Sequence, residues 1–167
     1  MPERLTGRAT RTRLGHIWLA AAALPGLMRS RRQRALFTEM RALGGHLPEL
    51  MQQPLPQAMQ ALAAKAEPID LPEHDVRRLA DLAALFARES PLGICLRRSL
   101  LRYHFLKRAG LPLSVAFGAR LRQNAAPDGE AGSRAVAGHA WVTLNGSPYH
   151  ESHENWRNFQ VIYRWPQ

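Results

Sequence analysis

The chain has one cysteine in 167 residues, Cys95. A single thiol excludes an internal disulfide framework and any zinc site built from cysteines alone. It fits a reducing compartment, so a cytoplasmic location is expected. Lysine is almost as scarce. Of 23 basic residues, only Lys65 and Lys107 are lysines, and the rest are arginines. No recognised nucleic-acid motif accompanies those arginines, nor does a basic surface interleaved with aromatics. Long apolar runs are missing as well. Ile17 to Leu24 follows arginine-rich residues 1–13 in the manner of a secretion signal, but Pro25-Gly26 breaks the run and arginines follow at once. The run falls far short of the ~20 residues that cross a bilayer, so no transmembrane segment is expected. A helix packed on the protein's own core is the expected use of residues 13–24.

What is present is enough for a core. Apolar residues make up 46% of the chain, which argues against disorder despite a net charge of +10. The length suits one domain with a small helical appendage. The charge is uneven. Residues 1–41 hold nine arginines against Glu3 and Glu39. Such an arm is ordinarily a solvated basic face. Its possible ligands are an acidic peptide, an anionic membrane or nucleic acid.

The first half reads as helices. Segments 13–24 and 33–43 are separated by Pro25-Gly26, and the second is expected to stop at Gly44-Gly45. Pro48, Pro54 and Pro56 mark a connector, and residues 57–66 form a short helix ended by Pro68. Asp70-Leu-Pro-Glu73 is a helix start with Asp70 as the cap. Ser90-Pro91 starts another helix, which runs to Ala109 and stops at Gly110. Leu96, Leu100, Leu101 and Phe105 form its core stripe, and Cys95 falls near its N-terminal end. The period then changes to two. Leu113–Arg122, His139–Leu144, Ser147–Ser152 and Val161–Trp165 read as strands, with 123–137 as a loop and Asn145-Gly146 as a hairpin turn. Helices first and an antiparallel sheet last predict an α+β fold.

A helix N-terminus favours a thiolate, and a nearby histidine favours it more. Cys95 has the first feature, and His139, at the start of a strand, is the candidate for the second. A third group must orient that histidine. Taken singly, each residue is ordinarily a packed core side chain. A zinc site of His139, His150 and His153 with Glu151 fits no standard spacing, so no metal or other cofactor is expected. Trp141 reads as core rather than as a platform for substrate.

The stretch Cys95-Leu-x-Arg-Ser-Leu-Leu, then Leu106-x-x-x-Gly110-Leu-Pro, Phe117-Gly118, His139-Ala-Trp-Val and x-Gly146 resembles the transglutaminase-like cysteine peptidases. It is most similar to the branch that removes leader peptides in lasso-peptide biosynthesis. The likeness covers about residues 90–165. It implies a papain/transglutaminase-like domain at 69–167 behind a helical region at 1–68. It also implies a Cys-His-acid triad whose members fall on Cys95, His139 and Glu151. Two departures stand out: Glu151 replaces the usual Asp, and Asn145 replaces the usual Asp before the hairpin glycine.

Strand register bears on Glu151 separately. A two-residue loop pairs Leu144 with Ser147 and turns Glu151 away from His139. A three-residue loop pairs Thr143 with Ser147 and sets Glu151 directly across from His139, with β-carbons ~5 Å apart. The three-residue form is expected, with Gly146 in the left-handed position. His150, Asp128 or no third member remain the alternatives.

The expected activity is leader cleavage from a ribosomally made precursor, through a thioester. The alternatives are transglutaminase-type acyl transfer with the same triad, or a catalytically silent protein that binds peptide or nucleic acid. The resemblance implies three partners: the precursor peptide, a separate leader-recognition protein, and an ATP-dependent macrolactam synthetase. No nucleic-acid partner is expected.

Overall fold

Ser30 opens the first helix by accepting a hydrogen bond from the Gln33 amide on its side-chain oxygen. The computed structural model describes residues 27–64, 66–86, 90–121 and 136–166. The anticipated helix 13–24 and most of the anticipated loop 123–137 lie outside them. Helix α1 spans Arg31–Leu50 and does not stop at Gly44-Gly45. Gly44 is buried against α4 (Ile94–Arg108), where a β-carbon would stand 3.9 Å from Leu101. Tertiary packing there outweighs the glycine penalty of ~1 kcal/mol. Pro48 lies in the last turn of α1, where it removes one backbone donor.

Pro54 caps α2 (Leu55–Ala63), with Pro56 in its first turn. Helix α3 is Glu73–Phe86. The carbonyl of Pro72 accepts from the amides of Asp75 and Val76, so the helix starts later than Asp70. Asp70 instead makes an exposed pair with Arg32 at 3.5 Å. Helix α4 also begins later than expected. Ser90 spends its hydroxyl on the Leu92 amide, and Gly93 supplies the first helical acceptor, to the Arg97 amide. Cys95 is thereby the second residue of α4.

The sheet has four strands in the order β3-β2-β1-β4, every pair antiparallel. They are β1 (Leu113–Leu121), β2 (Val136–Leu144), β3 (Ser147–Pro148) and β4 (Gln160–Trp165). Strand β2 begins three residues before His139, in what reads as loop from the sequence. Strand β3 is two residues long instead of six. A short helix, α5 (His153–Trp156), occupies the stretch that follows.

The β2–β3 turn has two residues, not the expected three. Leu144 pairs with Ser147, and Asn145 and Gly146 have φ of 51° and 83°. Asparagine tolerates the left-handed region, so Asn-Gly supplies both positive φ values of a tight hairpin.

The buried cluster takes Met40 and Leu47 from α1, Met59 from α2, Leu79 from α3, Leu100 and Phe105 from α4, and Val115 and Val142 from the sheet. The fold is α+β, with helices packed on an antiparallel sheet.

Candidate active site

The site forms where α4 meets the open edge of β2. Pairing with β3 is short, and the Tyr149 amide donates to Val142 O just beyond it. Backbone groups of alternate residues point to the same side of a strand, so Ala140 also faces that edge. The first turns of α4 cover it. Ser99 Oγ donates to Ala140 O at 2.8 Å, and the Ala140 amide faces the Cys95 sulfur. Had β3 continued to Ser152, it would have taken the place of the helix. The Ser99 bond thus registers α4, and with it Cys95, against the residue next to His139.

His139 lies in an aromatic bed. Its ring stacks on Trp141 at 5.6 Å and packs against Phe159 at 5.2 Å. Gly118 is its partner across β1 and sits at the bulge between β1 and β4. A β-carbon at Gly118 would come within 2.8 Å of both the Trp141 ring and Phe159 Cβ. The glycine is what lets the bed close. Trp141 is 3% exposed and belongs to that packing.

The structure brings Cys95, His139 and Glu151 together. The Cys95 thiol and the His139 ring lie close enough to shift each other's proton affinity. Glu151 Oε1 stands 3.5 Å from His139 Nε2. That is an ion-pair distance, and Nε2 makes no hydrogen bond. Asn155 donates to Glu151 Oε1 at 2.8 Å, and Arg98 donates to Oε2 at 3.0 Å.

Glu151 arrives by a different route from the one its strand reading implied. The two-residue turn does set a register that would aim Glu151 away. The strand then ends, and His150 takes a φ of 47°, which re-aims the next side chain. Arg102 donates to His150 O at 3.2 Å and forks onto buried Asp81 of α3, with its Nη2 bond at 2.7 Å. His150 packs its own ring on Tyr149, and His153 packs on Trp156. Asp128 lies outside the described residues. Arg98 and Asn155 were missed from sequence. The available signal was spacing for Arg98, which is three residues after Cys95 on one face of α4; Asn155 carried none.

A family model described as the transglutaminase-like superfamily matches residues 46–164. The chain belongs to the transglutaminase-like superfamily. No curated protein and no solved structure matches it. All three site residues of this transglutaminase-like domain fall inside the matched span.

Its electrostatics favour a charged pair. The hydrogen bond from His139 pulls the Cys95 thiol below its ordinary value against the opposing effect of burial, with the Ala140 and Leu96 amides adding to the pull. His139 is raised to about 9, first by the Cys95 sulfur and then by Glu151, against the effect of burial. Burial pushes the Glu151 carboxyl up, but His139, Arg98 and Asn155 together hold it below its ordinary value. Among the described residues, no three His, Cys, Asp or Glu side chains are grouped to hold a metal ion. No helix among them is long and apolar enough to cross a membrane.

Proposed function

We propose that this chain is a cysteine peptidase that cuts the leader from a ribosomally made precursor during lasso-peptide maturation. One observation carries the peptidase reading. The Cys95 thiol, in the first turn of α4, contacts His139, and His139 is backed by a carboxylate that is 3% exposed. The likeness of residues 90–165 to lasso-peptide leader peptidases supports the substrate class.

The reaction follows from the geometry. His139 takes the thiol proton, and the thiolate attacks a peptide carbonyl to form a C–S bond. The Cys95 amide lies in the first helical turn, where amides have no intrahelical acceptor, and it receives the oxyanion. His139 gives the proton to the leaving amine as the C–N bond breaks. Water, deprotonated by His139, then breaks the thioester and restores the thiol. Glu151 keeps the ring oriented and balances the imidazolium. The precursor is presented by a separate leader-recognition protein, and the freed peptide passes to an ATP-dependent macrolactam synthetase. A cytoplasmic site of action goes with the free thiol.

The test is alkylation of the single thiol by iodoacetamide across pH, read by intact mass. The expected rate persists well below pH ~8.5, the free-thiol value, and that low-pH reactivity vanishes in His139→Ala. A thiol that reacts only at ordinary pH and ignores His139→Ala overturns the peptidase reading. With precursor and recognition protein present, His139→Ala is expected to lose about 10²–10⁴-fold in cleavage rate. An added amine distinguishes the related reaction: product bearing the amine in place of a free carboxylate makes the chain an acyl transferase.

A further inference from the structure

We infer that Arg98 is a positioning residue: it holds the Glu151 carboxylate where that carboxylate orients His139, so the helix that carries the nucleophile also places the acid. This rests on reading Cys95, His139 and Glu151 as one catalytic unit.

The strand cannot place Glu151, because β3 ends at Pro148 and the backbone turns at His150. Helix α4 provides ties in its stead. Cys95, Arg98 and Arg102 are spaced i, i+3, i+7, one stripe of a helix. The first carries the thiol, the second grips Glu151 Oε2, and the third grips the carbonyl of His150. With Oε2 held by Arg98, Oε1 is the oxygen presented to His139 and Asn155. A glutamate side chain buried this deeply needs a charged partner to stay ionised. Arg98 supplies that partner from the same helix, so the nucleophile and the acid's anchor move together.

Charge alone and positioning predict opposite results. Around His139 stand Cys95 and Glu151, with Arg97 of α4 coupled to Cys95, Arg98 of α4 and Asn155 of α5 on Glu151, and Arg120 of β1 across the Phe159 ring. Removing a cation from this group, with geometry unchanged, makes the His139 imidazolium easier to keep. Releasing Glu151 makes it harder.

The experiment is an NMR titration of the His139 ring in the full chain, assigned by its loss in His139→Ala. The variants are Arg98→Met, which keeps the stem, and Arg98→Lys, which keeps the charge. Expected is a fall in the Arg98→Met midpoint of about one pH unit, with partial recovery in Arg98→Lys and no further fall when Arg98→Met is added to Glu151→Gln. A midpoint that stays or rises in Arg98→Met overturns the inference and leaves an ordinary ion pair. If Arg98→Met does not fold, the Arg98→Lys midpoint decides: a value equal to wild type overturns the inference. The wild-type alkylation profile keeps the two proposals apart. A reactive low-pH thiol together with an unmoved midpoint sinks only the role of Arg98.

Discussion

At His139 the ring interacts with the Cys95 sulfur and the Glu151 carboxylate, and the ring itself is held between Trp141 and Phe159. This packing gives Gly118 its importance. Its place in a Phe-Gly pair hinted at a role in the sequence, but the crowding comes from Trp141 and Phe159, one on a neighbouring strand and one beyond α5. Gly118→Ala is expected to destabilise the fold by about 1–3 kcal/mol through overpacking. It is also expected to shift the His139 ring, so that alkylation of Cys95 near pH 6 slows. Urea unfolding and the alkylation rate check the two effects separately. At Glu151 the exchange Glu151→Gln keeps the shape and removes the charge. His139 then loses a contributor to its raised affinity for a proton, and its midpoint falls below about 9.

Among the elements, most helices and strands were legible because their apolar periods are clean. Their ends were less so. Asp70 and Ser90 are both good capping residues, yet both helices begin later. The cap is chosen by where the chain leaves its neighbours, and Ser90 caps a turn instead. Gly44-Gly45 reads as a stop by local propensity, but the buried face of α1 continues through Leu47. Glycine there is tolerated rather than required. A β-carbon at Gly44 would meet Leu101 at 3.9 Å, an ordinary contact, and one at Gly45 would meet nothing within 4 Å. Gly45→Ala is therefore expected to stabilise the protein by about 0.5–1 kcal/mol, with Gly44→Ala neutral to stabilising. The urea midpoint checks this, and a fall for Gly45→Ala contradicts it.

At the scale of the whole molecule, the site's charges enter folding stability as a function of pH. His139, raised to about 9 from 6.5, contributes stability that fades as pH rises through that window. Cys95, lowered from 9.0, contributes stability that fades as pH falls. The two trends oppose each other: a folded pair with its one proton on the ring and an unfolded pair with its one proton on sulfur hold equal counts and give no slope. Glu151, held below its ordinary 4.5, adds to the loss on further acidification. Urea midpoints across pH are expected to fall on acidification, as far as this site is concerned, because Cys95 and Glu151 both lose their contributions there. In Cys95→Ala the opposing thiol contribution is gone and His139 loses the largest cause of its raised value, so what remains is a smaller loss of stability with rising pH, supported by Glu151. An unchanged profile in Cys95→Ala would mean that the two groups are not linked.

The sequence by itself determined the α+β order, the helix that begins beside Cys95, the strand that carries His139, and the superfamily. Those features rest on local signals: apolar period, turn residues, and a motif spaced along one helix and one strand. It also pointed to Glu151, but by a register the structure does not have. The tight Asn-Gly turn set the other register, and only the tertiary structure recovered the contact. It ended β3 after two residues, turned the chain at His150, and tied the segment down with Arg98 and Arg102 of α4. Those ties join residues about fifty positions apart, and no local period encodes them. They exist because the open edge of β2 admits the N-terminal end of α4.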